Sequence, residues 1–118
     1  MFGQVLQKVV DSVDGGVGAV IMGFDGIKVH SYVRPQESLD IETIGMEFSF
    51  ILTQITKAAD ILEVGGLQEV AIKAEQLLLV IRVLNPEYFM AVALTPEGNF
   101  GKCRFMMRIA APKLTAEF

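Results

Sequence analysis

Hydrophobic positions along the chain recur with two periods, one typical of helices and one typical of strands. Apolar residues between Phe2 and Val13 follow three- and four-residue steps, which predict an amphipathic first helix. Five further stretches are apolar and mostly rich in β-branched residues, as strands are. These predicted strands span residues 17–24, 27–33, 67–74, 77–81 and 88–94. The pattern therefore predicts a mixed domain in which most strands follow one another after short turns.

The longest periodic segment, from Asp40 to Val64, combines an apolar stripe with a row of small residues. The stripe is predicted to cover the sheet and consists of Ile44, Phe48, Ile51, Ile55, Ala59 and Leu62. The small residues lie on another side and comprise Gly45, Ser49 and Thr53, with Thr56 close by. Because small side chains let a second helix backbone approach closely, we expect this helix to contact both its own sheet and a neighbouring chain.

Turn and capping residues set the limits of the predicted elements. Asp25-Gly26 predicts a two-residue type I′ hairpin between the first two strands, and Gly65-Gly66 predicts the end of the long helix. Asp40 and Asn99 are predicted to cap the long helix and the last helix. The last helix is predicted to bury Phe100, Cys103, Met107, Ala110 and Leu114.

The predicted order of elements is α-β-β-α-β-β-β-α, in a single domain over residues 1–118. Hairpin-length links require mainly antiparallel strands, and fully apolar central strands require helices on both faces. We therefore predict a three-layer α/β/α sandwich around a five-stranded sheet. A single helix, about 10–12 Å across, cannot cover one whole face of such a sheet, so a second copy of the chain would supply the missing cover.

The composition favours an assembled protein over a membrane protein. Hydrophobic residues make up 52% of the 118 positions. The longest strictly apolar run, Phe89 to Leu94, is far shorter than the roughly 20 residues that a membrane-spanning helix needs. The first ten residues lack the layout of a signal peptide. A single cysteine, Cys103, permits no internal disulfide, and we expect a cytoplasmic location.

Charge is distributed unevenly along the chain. Residues 1–98 hold 6 basic and 13 acidic residues, a net charge of −7, whereas residues 99–118 hold 4 and 1, a net charge of +3. The overall charge of −4 argues against nucleic acid as the main partner. The basic residues of the last helix form either a solvated face attracted to the acidic body or, with Phe105 and Met106, an adaptable partner site.

The sequence contains no recognisable catalytic or metal-binding arrangement. His30 is the only histidine and has no nucleophile or carboxylate at a familiar spacing. Cys103 is predicted to be a buried small hydrophobic residue, and one histidine and one cysteine cannot form a zinc site. The segment 98–102 lacks the spacing and the Ser or Thr of a phosphate-binding loop. We therefore predict a protein that is not an enzyme and that holds no metal, nucleotide or other cofactor.

The order of elements, the Asp25-Gly26 hairpin, the long helix with its small residues and the segment 97–102 before the last helix resemble a roadblock/LC7 domain. The resemblance covers nearly the whole chain and is greatest for small stand-alone bacterial members, including those of gliding-motility polarity modules. It implies a homodimer with paired long helices and a continuous sheet. It also implies binding to a Ras-like small GTPase, to another roadblock protein, or to motor and scaffold proteins, without a catalytic side chain from this chain.

These expectations assign residues to two kinds of contact. The predicted dimer interface comprises Gly45, Ser49, Leu52, Thr53, Thr56, Val70 and Ile72. The predicted partner-binding residues are Glu42, Glu47, Gln54, Lys57, Arg104 and Arg108. Two alternatives remain open at this stage: a structural adaptor for motor or polarity proteins without a GTPase, and a small-ligand sensor of the PAS or GAF type. A sensor needs a pocket with convergent polar groups, whereas the central strands offer only Arg82.

Overall fold

A computed structural model describes residues 1–118 and contains the predicted order of three helices and five strands. The helices are α1 (Phe2–Asp11), α2 (Ile41–Leu62) and α3 (Phe100–Thr115). The strands are β1 (Gly16–Gly23), β2 (Lys28–Val33), β3 (Glu69–Lys73), β4 (Leu78–Val83) and β5 (Tyr88–Leu94). No helix combines the length and the apolar content that crossing a membrane requires.

The five strands form one antiparallel sheet in the order β2-β1-β5-β4-β3. The two hairpins β1–β2 and β4–β3 therefore flank β5 at the centre. The strands β2 and β3 are the two edges of the sheet, as no further strand pairs with either. The predicted fold class is confirmed, including the antiparallel pairing that the short connections require.

Two hydrophobic cores lie on opposite faces of the sheet, because alternate residues of each central strand point to opposite sides. In β5, Met90 and Val92 join the core beneath α1 and α3, whereas Phe89 and Ala91 join the core beneath α2. All four side chains are completely buried. This burial on both faces explains why the sequence of β5 is continuously apolar.

The caps of the two longer helices agree with the sequence. The Asp40 carboxylate accepts a hydrogen bond of 3.1 Å from the backbone N–H of Thr43 at the start of α2. The Asn99 side chain accepts one of 3.0 Å from the backbone N–H of Lys102 at the start of α3. The C-terminal cap of α2 is Glu63, which adopts the left-handed conformation two residues before the glycines expected to end the helix.

The β1–β2 turn differs from the predicted type I′ turn. Only Gly26 has a positive φ, of 84°, and Asp25 does not. The Gly26 N–H donates to the Gly23 carbonyl at 2.9 Å, and the Asp25 carboxylate accepts a hydrogen bond from the Ile27 N–H. The aspartate therefore stabilises a longer turn through its side chain. Ile27, which the predicted second strand included, lies before β2 and is exposed at the end of this turn.

Candidate functional site

The long helix α2 covers only part of its face of the sheet. Its backbone approaches β1 and β2 much more closely than it approaches β5, β4 or β3. The Glu42 carboxylate lies 3.4 Å from the Lys28 ammonium group of β2, which fixes this flank of the helix over the β2 edge. The opposite flank therefore points across the sheet toward β4 and β3, where no helix of the same chain lies.

Two of the small residues of α2, Gly45 and Ser49, face the protomer's own sheet together with Leu52. Gly45, Ser49 and Leu52 are buried, with Ser49 only 5% exposed. The prediction that these three residues meet a second helix is therefore wrong. The physical reason is that the small side chains allow α2 itself to approach β1, and the Ser49 hydroxyl donates to the Met46 carbonyl at 2.7 Å.

The apolar stripe that was predicted to cover the sheet divides into two parts. Ile44 and Phe48 are half-buried and pack against the core beneath α2. In contrast, Ile51 is 44% exposed and Leu62 is 69% exposed, so their prediction as core residues is wrong. Both exposed residues lie on the flank that points toward β4 and β3, because residues at these steps share one side of a helix.

A second row of apolar side chains on α2 points away from the sheet. Met46, Phe50 and Ile61 are exposed, and Phe50 shows 70% of its surface to solvent. Steps of four and eleven residues place them on one side of the helix. These three residues are not among the predicted interface residues, although the same helical spacing relates them once the small residues are assigned to the sheet. Exposed apolar groups in one row are typical of a protein interface.

The remaining predicted interface residues occupy two places. Thr53 and Thr56 are half-buried, and their hydroxyls donate to backbone carbonyls of α2 at 3.1 Å and 2.9 Å. They line a cavity of about 380 Å³ between the second half of α2 and the loops near Phe24 and Pro86. Val70 and Ile72 lie half-buried on the edge strand β3, on the face that α2 shares.

The predicted partner-binding residues on α2 are all exposed. Glu47 and Gln54 point to solvent, and Lys57 lies at the rim of the cavity of about 380 Å³. Glu42 is already paired with Lys28. The positions are thus consistent with a surface for a partner, and their role in binding stays a prediction.

The two arginines predicted on α3 differ in their surroundings. The Arg104 Nε donates to the Glu69 carboxylate of β3 at 2.8 Å, so this arginine joins the last helix to the edge strand. Arg108 is exposed and has no ion-pair partner. Phe100, which was predicted to be buried, is 36% exposed. The centre of its ring lies 5.4 Å from the Arg104 guanidinium carbon.

The two side chains considered for chemistry lie in contrasting surroundings. His30 is exposed on β2, with its ring over Gly3 of α1. Cys103 is completely buried, and burial raises the pKa of its thiol to about 12. No three His, Cys, Asp or Glu side chains lie close enough together to hold a metal ion.

Comparison with solved structures identifies relatives that cover the whole chain. The crystal structure of MglC from Myxococcus xanthus is 39% identical, covers 98% of this chain and 97% of that chain, and superposes with a TM-score of 0.71. A roadblock/LC7 domain from Streptomyces avermitilis is 15% identical over 97% of this chain and 94% of that chain, with a TM-score of 0.85. No protein-family model and no curated protein matches the sequence.

A third similar structure is a gliding protein, MglB from Thermus thermophilus. It is 14% identical, covers 96% of this chain and 84% of that chain, and has a TM-score of 0.85. At such identities the likeness to MglB and to the Streptomyces domain is one of fold. The match to MglC extends to sequence over the full chain. The predicted resemblance is confirmed: the chain belongs to the roadblock/LC7 family, together with bacterial gliding-motility proteins.

Proposed function

We propose that this protein is a non-enzymatic homodimeric module that binds or regulates a Ras-like small GTPase, or a roadblock-type regulator of one, in cell polarity or motility. The observation that carries the proposal is the incompletely covered face of the sheet beside α2. This face adjoins the free edge strand β3, and exposed apolar side chains of α2 border it. The full-length similarity to MglC supports the assignment to motility.

A second copy of the chain would complete this face. An edge strand presents unpaired N–H and C=O groups that can pair with the same strand of another copy. Two-fold pairing of β3 would bring the two α2 helices side by side over the joined sheet. Ile51 and Leu62 would then pack at the helix contact, and Val70 and Ile72 would become fully buried. Gly45, Ser49 and Leu52 take no part in this revised interface, because they contact the protomer's own sheet.

Light scattering during gel filtration tests the dimer. We expect a dimer at micromolar concentration, and we expect Ile51→Glu to raise its dissociation constant by at least about tenfold, because a charge must be buried at the helix contact. Gln54→Glu is the matched control, since it places the same side chain on the outward side of the same helix. A wild-type monomer, or equal effects of the two substitutions, would contradict the dimer.

The partner surface would lie on the outward side of the paired α2 helices. Glu47 and Lys57 supply charges there, and Phe50 supplies an exposed aromatic group. The acidic residues would steer a basic patch of the partner, an effect that weakens with salt. Regulation would follow from preferential binding of one nucleotide-dependent conformation of the GTPase, because only differential affinity shifts such an equilibrium.

Binding measurements with Ras-like GTPases from the source organism test the partner. Each GTPase is immobilised in its GDP and GTPγS forms and titrated with the wild type, Glu47→Lys and the double variant Glu47→Lys/Lys57→Glu. We expect binding to one nucleotide form, weakened in both variants while the dimer persists. Unchanged affinity in the double variant would remove this surface as the site. Binding of a second roadblock protein without any GTPase would favour the adaptor alternative.

A further inference from the structure

A groove between α1 and α3 lies on the face of the sheet opposite α2. It encloses about 130 Å³ and has an apolar floor. The floor is formed by Val5, Val9, Met106, Ile109 and Ala110. Ile109 remains 42% exposed, and Phe105, one turn before it on α3, is 52% exposed. They lie four residues apart, so they are neighbours on the helix surface.

Lysines from both helices surround this groove. Lys8 of α1 and Lys113 of α3 line it directly. Lys102 lies on the same edge of α3 as Lys113. Residues 102, 106, 109 and 113 follow one another at steps of three or four, so they share one side of the helix. None of the three lysines has an ion-pair partner within 4.0 Å. The acidic body of the protein therefore does not neutralise them through direct contacts.

The only carboxylate of α1 and the first carboxylate after α3 are engaged elsewhere. Asp11 of α1 lies 3.4 Å from the Arg34 guanidinium and accepts a hydrogen bond of 3.0 Å from the Tyr32 hydroxyl. Glu117 lies 3.9 Å from the Met1 amino group. The charged side chains that line the groove are therefore both lysines, Lys8 and Lys113, although the chain is acidic overall.

We propose that the α1–α3 groove binds an acidic amphipathic helix of a partner protein. A third helix laid along two adjacent helices would insert apolar side chains at positions i, i+3 or i+4 and i+7 over the groove floor. Glutamates or aspartates beside that apolar row would reach Lys8, Lys102 and Lys113. The concave shape favours a helix over a lipid surface, and three lysines would attract an anionic membrane only weakly.

Fluorescence anisotropy with three labelled peptides tests the chemistry of the occupant. Each peptide has about 18 residues, enough to form a helix, and carries the same leucine face with glutamate, glutamine or lysine on its polar face. We expect the glutamate peptide to bind most tightly, with one peptide per chain, and the lysine peptide most weakly. The preference should shrink as salt is raised, because the lysines are exposed.

Matched charge reversals on one helix test the location. Lys113→Glu should weaken the glutamate peptide by at least about tenfold, as expected for the loss of a close ion pair. Arg108→Glu makes the same change of charge on the other edge of α3 and should alter the affinity by less than about twofold. Ile109→Asp should abolish binding, and circular dichroism establishes that each variant retains its fold.

Four outcomes would overturn the proposal. The first is equal binding of the glutamate and lysine peptides, and the second is equal weakening by Lys113→Glu and Arg108→Glu. The third is binding of phosphatidylserine vesicles without binding of the glutamate peptide, which would assign the groove to a membrane surface. The fourth is self-association that Ile109→Asp removes, which would assign the groove to a second copy of this chain.

Discussion

Gly45 of α2 lies directly over Met22 of β1: a methyl group added to Gly45 would stand 3.0 Å from the methionine sulfur and 3.0 Å from its terminal carbon. Met22 is completely buried, and the same added methyl group would lie 3.3 Å from the Val20 side chain. The absence of a side chain at Gly45 is therefore what lets the long helix pack this closely on the sheet.

This contact predicts that substitutions of Gly45 act on folding. Gly45→Glu should lower the free energy of unfolding by more than about 3 kcal/mol, because it combines overpacking with a buried charge. Gly45→Ala should be nearly neutral, since the helix propensity of alanine, worth about 1 kcal/mol, offsets the crowding of a flexible methionine. Urea denaturation measures both effects.

Gly101 provides the matched control for these substitutions. It lies in the first turn of α3, where an added methyl group would meet only the Asn99 side chain at 3.8 Å. Gly101→Glu should therefore change the stability by less than about 1 kcal/mol. A Gly45→Glu protein that remained as stable as the wild type but lost its dimer would show that this residue faces a partner after all.

Glu69 of the edge strand contacts two arginines from different elements. Its carboxylate lies 2.8 Å from Arg104 of α3 and 4.0 Å from Arg82 of β4. We expect Glu69→Gln to lower the free energy of unfolding by about 0.5–1 kcal/mol, because these side chains are only partly buried. A double-mutant cycle of Glu69→Gln with Arg104→Gln measures the coupling. A coupling energy of zero would mean that the pair does not attach α3 to β3.

Glu63 occupies a backbone position that suits glycine. Its φ of 55° and ψ of 40° are left-handed, and its N–H donates to the Asp60 carbonyl at the end of α2. Because a side chain makes this conformation unfavourable, Glu63→Gly should raise the free energy of unfolding by about 0.5–1 kcal/mol. Thermal denaturation tests the change, and Glu63→Ala, which keeps the Cβ atom, should not stabilise the protein. A destabilised Glu63→Gly variant would contradict this account.

The buried Cys103 thiol should make stability depend on alkaline pH. Burial raises its pKa from 9.0 to about 12. Between these values the unfolded chain loses its thiol proton and the folded chain keeps it, so this contribution is fully present below pH 9.0 and is lost as the pH rises toward 12. We expect the Cys103→Ala protein to lose less stability than the wild type as the pH rises through this range. Urea denaturation at several pH values measures the difference.

Thiol labelling provides an independent measurement on the same residue. In the native protein at pH 8, Ellman's reagent should react with Cys103 only through unfolding, because the thiolate is the reactive form and the side chain is completely buried. Full reaction should follow when urea is added. Rapid labelling of the native protein would contradict both the burial and the raised pKa.

Sequence periodicity predicted the elements and the fold, because the central strands and the helix caps leave few alternatives. Asp40 and Asn99 cap the helices as expected, and β3 is a free edge. The orientation of α2 was harder to predict, because small and large apolar residues both repeat at helical steps. The distance between α2 and β1 decides whether the small or the large apolar residues face the sheet. That distance is set by the packing of the whole domain and cannot be read from the spacing of residues.

The sequence indicated that the candidate site lies on α2, but it indicated only some of the residues exposed there. The polar residues Glu47, Gln54 and Lys57 lie exposed on α2, where the helical pattern placed them. Phe50 is not among the predicted partner-binding residues, since an apolar residue in an amphipathic helix is ordinarily assigned to the core. Its exposure follows from the inward position of Ser49, one residue earlier, which the pattern of hydrophobic positions alone does not indicate.

The division of α2 into an inward row of small residues and an outward row of apolar residues has a consequence for evolution. Substitutions at Met46, Phe50 and Ile61 meet no neighbour in the protomer's core, so selection for folding constrains them little. Changes at Gly45 and Ser49 are restricted by the sheet beneath them. Paralogous copies of this domain can therefore acquire different binding preferences by changing one side of a single helix, while the scaffold that holds that helix stays intact.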